Sequence, residues 1–144
     1  MKKILDSKLN TTVANFAVFF TKLHHFHWFV KGPKFFELHK QFEALYEEVN
    51  ELYDTFAERL ITIGGKPASS LKQYLALTTL KESETLEPAS MVSEVILDLK
   101  QLVKEMKETI ELTSELKDDA TEDLLISTIQ SFEKKIWMFE AYQA

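Results

Sequence analysis

Residues 35–65 have the sequence FFELHKQFEALYEEVNELYDTFAERLITIGG. Apolar side chains recur at every third or fourth position of this stretch, namely Phe35, Leu38, Phe42, Leu45, Val49, Leu52, Phe56, Leu60 and Ile63. Such spacing is typical of an α-helix that packs one apolar stripe against a core. Gly64 and Gly65 follow, and glycine is common at the C-terminal end of a helix. The pattern predicts one unusually long helix over about residues 35–63.

The rest of the chain has the same periodicity, interrupted by turn residues. Gly32 and Pro33 end the preceding apolar pattern, and Pro88 is placed to begin a later helix. Asp119, with Glu122 three residues on, is interpreted as the N-cap of the last helix. Trp137 and the Phe and Met positions of the segments at about residues 7–31, 89–115 and 119 to the end are predicted to lie in the core. Beyond the helix at 35–63, we predict helices over about residues 7–31, 70–77, 89–115 and 119 to the end.

These segments predict an all-α fold in a single domain over residues 1–144, with no β-sheet. Four long helices favour a four-helix bundle. The connection between the second and third long helices, about 25 residues with a short helix inside, is too long for a hairpin loop. It indicates a crossover, and in this the chain resembles ferritin-like bundles.

Composition limits the class of protein. The chain has 45% hydrophobic and 28% charged residues, which is ordinary for a globular domain. A formal net charge of −6 disfavours nucleic acid as a default partner. There is no cysteine, so disulfides and thiolate metal sites are excluded, and a reducing cytoplasm is the expected location. The N-terminus has no apolar run typical of a secretory signal, and no stretch is long and apolar enough to cross a membrane.

Metal-ligand residue types share one side of the long helix. At about 100° per residue, His39, Glu43, Asp54 and Glu58 fall at about 0°, 40°, 60° and 100° around its axis. Asp54 and Glu58 lie ~22 Å and ~28 Å along the axis from His39, whereas a metal gathers ligands at about 2 Å. The histidine end and the carboxylate end therefore cannot share an ion within one chain. A two-fold axis between two copies would bring the two ends together twice.

His27 belongs to the same hypothesis. It precedes Gly32-Pro33 and His39 follows them, so antiparallel helices would place the two histidines opposite each other. Imidazole with carboxylate ligands suits Fe, Mn or Zn. The alternative is a packed histidine and a solvated acidic helix face. The chain contains no Glu-x-x-His motif, which argues against a self-contained di-iron centre in the bundle core.

Other candidate residues have two interpretations each. Trp28 is expected to pack, and beside an iron site it is also a candidate electron donor. His24 and His25 are expected to be packing residues. Asp119 and Asp123 suit helix capping, or an acidic channel mouth where several subunits meet and draw in cations.

Several stretches resemble the Dps family, the mini-ferritins. They are HHFHWFVKGPKFFELH at residues 24–39, DTFAERL at 54–60, IGGKP at 63–67 and IWMF at 136–139. The resemblance spans nearly the whole chain, and its His-Trp and Asp-x-x-x-Glu-Arg elements are specific. It implies a ferritin-like bundle, a dodecameric hollow shell, and ferroxidase centres at two-fold interfaces.

In that resemblance, His27 and His39 come from one subunit and Asp54 and Glu58 from its partner. Glu43 stands where the family often has Asp, which leaves open which iron position it serves. Asp119 and Asp123 match acidic pore positions, whereas a third acidic pore position of some relatives is Ser114 here.

The implied activity is binding of Fe(II), its oxidation to Fe(III) preferably by hydrogen peroxide, and storage of ferric mineral in the cavity. DNA binding is expected to be weak, because the chain has an acidic body and no lysine-rich tail. Two alternatives stay open: a nucleoid-binding structural protein with little iron chemistry, and a helical assembly module without metal chemistry.

Overall fold

The computed structural model describes residues 1–144 as five helices and no strand. This confirms the predicted all-α class. The first helix begins earlier than predicted, because the fully buried Leu5 extends its apolar stripe toward the N-terminus. The helices are α1 (Lys2–Phe29), α2 (Phe35–Thr62), α3 (Leu71–Leu77), α4 (Pro88–Leu116) and α5 (Asp119–Gln143).

Ion pairs between the long helices give their directions. Lys22 contacts Asp98 at 2.8 Å and Lys8 contacts Glu108 at 3.6 Å, so α1 and α4 are antiparallel. The pairs between α4 and α5 have the same reversed order, Lys100–Glu140 and Lys107–Glu133. Because α1 and α2 form a hairpin, α2 and α4 point the same way. The connection over residues 63–87 must therefore run the length of the bundle, which is the predicted crossover.

Glycines end α2 as the sequence predicts. Gly64 has a φ of 91°, and its N–H donates to the oxygen of Ile61 at 3.0 Å. The N–H of Gly65 donates to the oxygen of Leu60 at 2.8 Å, which completes a Schellman motif. A Cβ on Gly65 would lie 2.4 Å from Cδ1 of Leu60. Glycine at both positions thus allows α2 to stop beside its own last turn.

Asn15 fixes the start of the segment that follows α3. Its side chain is fully buried in α1. Its Oδ1 accepts from the N–H of Thr79 at 2.8 Å and from Oγ1 of Thr78 at 2.6 Å. Its Nδ2 donates to Glu105 of α4 at 3.1 Å. One buried amide therefore joins α1, the crossover and α4.

Aromatic rings join the helices in the core. Phe16 of α1 meets Phe56 of α2 and Phe132 of α5 edge-on, with ring centroids 5.1 Å and 6.2 Å apart. The prediction that Trp137 and Met138 lie in the core is wrong, since they are 64% and 47% exposed. The core-facing positions of this turn belong to Ile136 and Phe139, and the two residues between them point outward.

The end of α1 contains a second exposed aromatic pair. Trp28 is 66% exposed and Phe29 is 47% exposed, so neither packs into the core of its own chain as predicted. Phe26 and His27 take the buried positions of that turn.

No helix combines the length and the apolarity that a bilayer crossing needs.

Candidate metal centre

His27 and His39 face each other across the α1–α2 hairpin, and each fixes the other's ring. Nδ1 of His27 donates to the backbone oxygen of His39, and Nδ1 of His39 donates to the backbone oxygen of His27, both at 2.7 Å. A neutral imidazole that donates through Nδ1 has its lone pair on Nε2. The reciprocal hydrogen bonds thus orient both rings and leave each Nε2 available as a metal ligand.

The two rings are stacked, with centroids 3.7 Å apart and planes 13° apart. Nearly parallel rings do not aim their lone pairs at a common point. An ion takes an imidazole nitrogen at about 2.0–2.1 Å along that lone pair. The geometry therefore suits two neighbouring ions with one histidine each better than one ion shared by both.

Glu43 completes the part of the site that one chain supplies. Its Oε1 lies 3.6 Å from Nε2 of His27. Ligand atoms of His27, His39 and Glu43 all lie within 4.8 Å of one another. His27 is buried, while His39 and Glu43 are half-buried, so the cluster is open on one side. Open positions of this kind are what a metal needs to meet an oxidant.

Asp54 and Glu58 do not belong to this cluster. Both side chains are exposed on the second half of α2, ~22 Å and ~28 Å along the helix from His39. Neither makes a hydrogen bond or ion pair through its side chain. The structure thus brings together three of the five predicted metal ligands and leaves two facing solvent.

Tyr46 is a neighbour of the site that sequence reasoning missed. Its ring meets His27 edge-on at 5.3 Å and stacks on His24 at 3.8 Å. Burial, with the negative charges of Glu43 and Glu47, raises the pKa of Tyr46 above its ordinary value. The sequence spacing could have predicted this neighbour, because Tyr46 is two helical turns from His39 on the same face of the helix.

Trp28 does not contact the histidine pair directly. Its ring centroid is 5.3 Å from that of His24, and the His24 ring lies between Trp28 and Tyr46. Nδ1 of His24 donates to the oxygen of Phe20 at 2.9 Å, and Nε2 of His25 donates to the oxygen of Thr85 at 2.9 Å. These two histidines have structural bonds, as predicted.

Comparison with known proteins identifies the family. The ferritin-like domain family matches residues 7–144. DNA protection during starvation protein 2 of Bacillus anthracis is 41% identical over 143 residues, which are 99% of this chain and 98% of the relative. A Dps protein from Bacillus brevis has a crystal structure that matches with a TM-score of 0.96 and 41% identity, over 99% of this chain and 96% of that one. The chain belongs to the Dps family of ferritin-like proteins.

A further Dps structure, from Listeria innocua, was determined after soaking with 10 mM zinc for 120 minutes. It matches this chain with a TM-score of 0.93 and 40% identity, over 96% of this chain and 94% of the other. The Dps fold, with its short helix in the crossover, is thus confirmed along nearly the whole chain.

The acidic start of α5 differs from the sequence prediction in this Dps chain. The N-cap is Asp118 and not Asp119, because Asp118 accepts from the N–H of Thr121 at 3.1 Å. Arg59 of α2 also donates to Asp118 at 3.3 Å. Burial alone would raise the pKa of Asp118, but the hydrogen bonds from Thr121 and the charge of Arg59 lower it. Asp119 and Asp123 are both exposed, so neither is occupied by capping.

Proposed function

We propose that this protein is a ferroxidase that oxidises Fe(II), preferably with hydrogen peroxide, and stores the ferric product. The observation that carries the proposal is the reciprocal histidine pair. The Nδ1–H groups of His27 and His39 each donate a hydrogen bond to the other residue's backbone oxygen. The two Nε2 atoms are thereby oriented beside Glu43. Iron accepts imidazole and carboxylate ligands, and one open side leaves room for peroxide.

The site is completed by a second chain. Asp54 and Glu58 are exposed on the face of α2 that also bears His39, yet they are too far away to reach it. A two-fold axis across this face would place the carboxylates of each chain against the histidines of the other. The carboxylates would bind Fe(II) and, through their charge, favour Fe(III) after oxidation.

Two ions in one centre match the electron count of the reaction. Two Fe(II), one hydrogen peroxide and two protons give two Fe(III) and two water molecules. Because each iron supplies one electron, peroxide is reduced to water without release of a hydroxyl radical. The stacked histidine rings, which suit two adjacent ions, support this dinuclear chemistry.

Further copies would build a dodecameric shell around the stored mineral. Large apolar side chains are exposed on the single chain, which is typical of surfaces that contact other subunits. They include Trp28, Phe36, Leu71, Leu97 and Trp137. Asp119 and Asp123 are free to line a pore through which Fe(II) enters. A cytoplasmic location is proposed on family membership alone.

Trp28 is proposed as an electron donor to the centre. Its exposed ring would lie near the interface, and His24 and Tyr46 connect it through ring contacts to His27. When only one Fe(II) is bound, Trp28 would be oxidised and would supply the second electron that peroxide needs.

A nucleoid-binding function is the second candidate, because relatives are named DNA protection during starvation proteins. The distribution of charge on this chain argues against tight DNA binding. Lys2 and Lys3 belong to the first turn of α1, not to an irregular tail, and Lys2 is paired with Asp6. We expect no DNA retardation at about 0.15 M salt, where phosphate contacts are screened. Tight retardation under those conditions would favour this candidate.

The first experiment is an anaerobic Fe(II) titration of the metal-free protein, followed by hydrogen peroxide. We expect saturable binding, rapid ferric absorbance, and consumption of one peroxide per two iron ions. His27→Ala and Asp54→Asn should each slow oxidation by at least about tenfold, because each removes a ligand.

Glu111→Gln is the matched control for a lost carboxylate. Glu111 is exposed on α4 and is not one of the predicted metal ligands. Its variant should oxidise iron at the wild-type rate. If His27→Ala and Asp54→Asn also keep that rate, the site assignment is wrong.

A further inference from the structure

Two tyrosines, Tyr53 of α2 and Tyr74 of α3, meet between these helices. The phenol oxygens of Tyr53 and Tyr74 are in hydrogen-bond contact. Their ring centroids are 5.8 Å apart and their planes are 79° apart. Since the hydroxyl of each ring adjoins its ortho carbons, a contact between two hydroxyls also brings the ortho carbons of the two rings close.

This pair has no equivalent elsewhere in the chain. The other two tyrosines have no tyrosine as a ring neighbour: Tyr46 contacts histidines and Phe20, and Tyr142 lies under the ammonium of Lys34. Tyr74 is only 7% exposed and Tyr53 is half-buried, so a radical formed on either ring would be shielded from bulk solvent. A reaction between tyrosines within one chain is therefore expected at these two residues.

A small oxidant can approach Tyr74, one member of the pair, through a cavity. Tyr74 lines a cavity of about 240 Å³ between α1 and α3. The cavity is open to solvent and is far larger than the roughly 10–15 Å³ that a water-sized molecule needs. Tyr53 also precedes Asp54, the carboxylate that the proposed function assigns to iron. The cavity thus gives a small oxidant access to Tyr74, and Tyr53 is adjacent in sequence to a proposed iron ligand.

We propose that Tyr53 and Tyr74 are an oxidative cross-linking site that forms dityrosine when hydrogen peroxide meets a single Fe(II). One Fe(II) supplies only one of the two electrons that peroxide needs. The second comes from Trp28 in some reaction events and from a tyrosine of this pair in others. Fe(II), hydrogen peroxide, a phenol and one proton give Fe(III), a tyrosyl radical and two water molecules.

A second such event oxidises the neighbouring tyrosine. The two radicals then couple through one ortho carbon each, and the hydrogens displaced from these carbons restore the two hydroxyls. The net change in the protein is the loss of two hydrogen atoms and the gain of one carbon–carbon bond. That bond fastens α3 to α2.

This proposal rests on the proposed function for its source of oxidant, so one experiment must separate the two. The full-length protein is given less Fe(II) than its sites can hold, then hydrogen peroxide, and ferric absorbance is recorded in the same sample. We expect dityrosine fluorescence and, in peptide mass spectra, a link between the peptides of Tyr53 and Tyr74 within one chain. Saturating Fe(II) before peroxide should reduce the cross-link at least severalfold, because paired iron supplies both electrons.

Tyr53→Phe and Tyr74→Phe should each abolish the link, since phenylalanine cannot form the radical. Tyr142→Phe is the matched control, because it also removes a buried phenol and has no tyrosine partner. It should leave the link unchanged.

Iron oxidation without any Tyr53–Tyr74 link would overturn this inference and leave the ferroxidase proposal standing. Dityrosine spread over other tyrosines, or formed between chains, would overturn it as well. If iron is neither bound nor oxidised, the ferroxidase proposal fails and the iron-driven cross-link fails with it.

Discussion

Lys117 is the only residue other than glycine with a positive φ, at φ 57° and ψ 35°. Its N–H donates to the oxygen of Ser114 at 3.2 Å, so it ends α4 in a position that favours glycine. The left-handed conformation costs a lysine about 1–2 kcal/mol, part of which glycine loses again through its freer unfolded state. We predict that Lys117→Gly raises the free energy of unfolding by about 0.5–1 kcal/mol.

Chemical denaturation would measure this gain. Lys104→Gly is the control, because it removes the same charge from an exposed position inside α4. There glycine should lower the free energy of unfolding by about 1 kcal/mol. Equal effects of the two substitutions would contradict the conformational explanation.

Tyr74 gives the protein an alkaline limit. Burial, and then the hydrogen bond with Tyr53, raise its pKa from 10.0 to about 12. The unfolded chain releases this proton at the lower pH, so the folded state loses stability as pH rises from about 10 to about 12. We predict that the denaturation midpoint of wild type falls over this interval, and that Tyr74→Phe flattens the fall. A midpoint with the same pH dependence in both proteins would show that Tyr74 is not the cause.

At the level of helices, Asp118 joins the end of α2 to the start of α5. It caps α5 and accepts from Arg59, and its lowered pKa means that the charged form is favoured in the folded state. Its contribution is therefore present above the unfolded pKa and is lost as pH falls through the lower folded pKa. We predict that Asp118→Asn lowers the free energy of unfolding by about 1 kcal/mol at neutral pH, and that the difference shrinks below about pH 4.

Asp119→Asn tests whether position or charge matters. Asp119 follows directly in the chain and is exposed, and its side chain makes no ion pair. Denaturation of the two variants side by side should find a much smaller effect for Asp119→Asn. An equal loss from both would assign the effect to the helix dipole instead of the Arg59 contact.

The elements show which features periodicity can predict. The apolar stripe of α2, its glycine end and the hairpin around Gly32 and Pro33 follow from local sequence, and they suffice to place His27 opposite His39. The start of α1 differs from the prediction because its buried Leu5 precedes the stronger aromatic pattern.

Contacts made by irregular segments could not be predicted in this way. The meeting of Tyr53 and Tyr74 depends on where α3 docks, and that is set by bonds such as those of Asn15 to the crossover. The contact of Arg59 with the cap residue Asp118 also joins residues that are distant in sequence. Trp137 was misassigned because hydrophobicity alone does not distinguish the core from a surface that other subunits can cover.

At the scale of the whole molecule, the proposed centre divides its ligands between two chains, and this division can be tested by mixing. A His27→Ala/His39→Ala chain lacks the histidine half, and an Asp54→Asn/Glu58→Gln chain lacks the carboxylate half. Each variant alone should be inactive as a ferroxidase. In a mixed dimer, one site combines both defects and the other combines the intact halves. With equal amounts and random pairing, about half of the dimers are mixed, so about a quarter of the wild-type sites should return.

The measurement is the rate of ferric absorbance after the two variants are unfolded and refolded together. The same variants refolded separately and then combined are the control, since their dimers cannot exchange halves during folding. Recovery of activity only after joint refolding is expected if the ligands come from two chains. A centre contained within one chain would recover nothing under either protocol, because every chain in the mixture carries a defect. Activity in the His27→Ala/His39→Ala protein alone would instead remove the histidine pair from the mechanism.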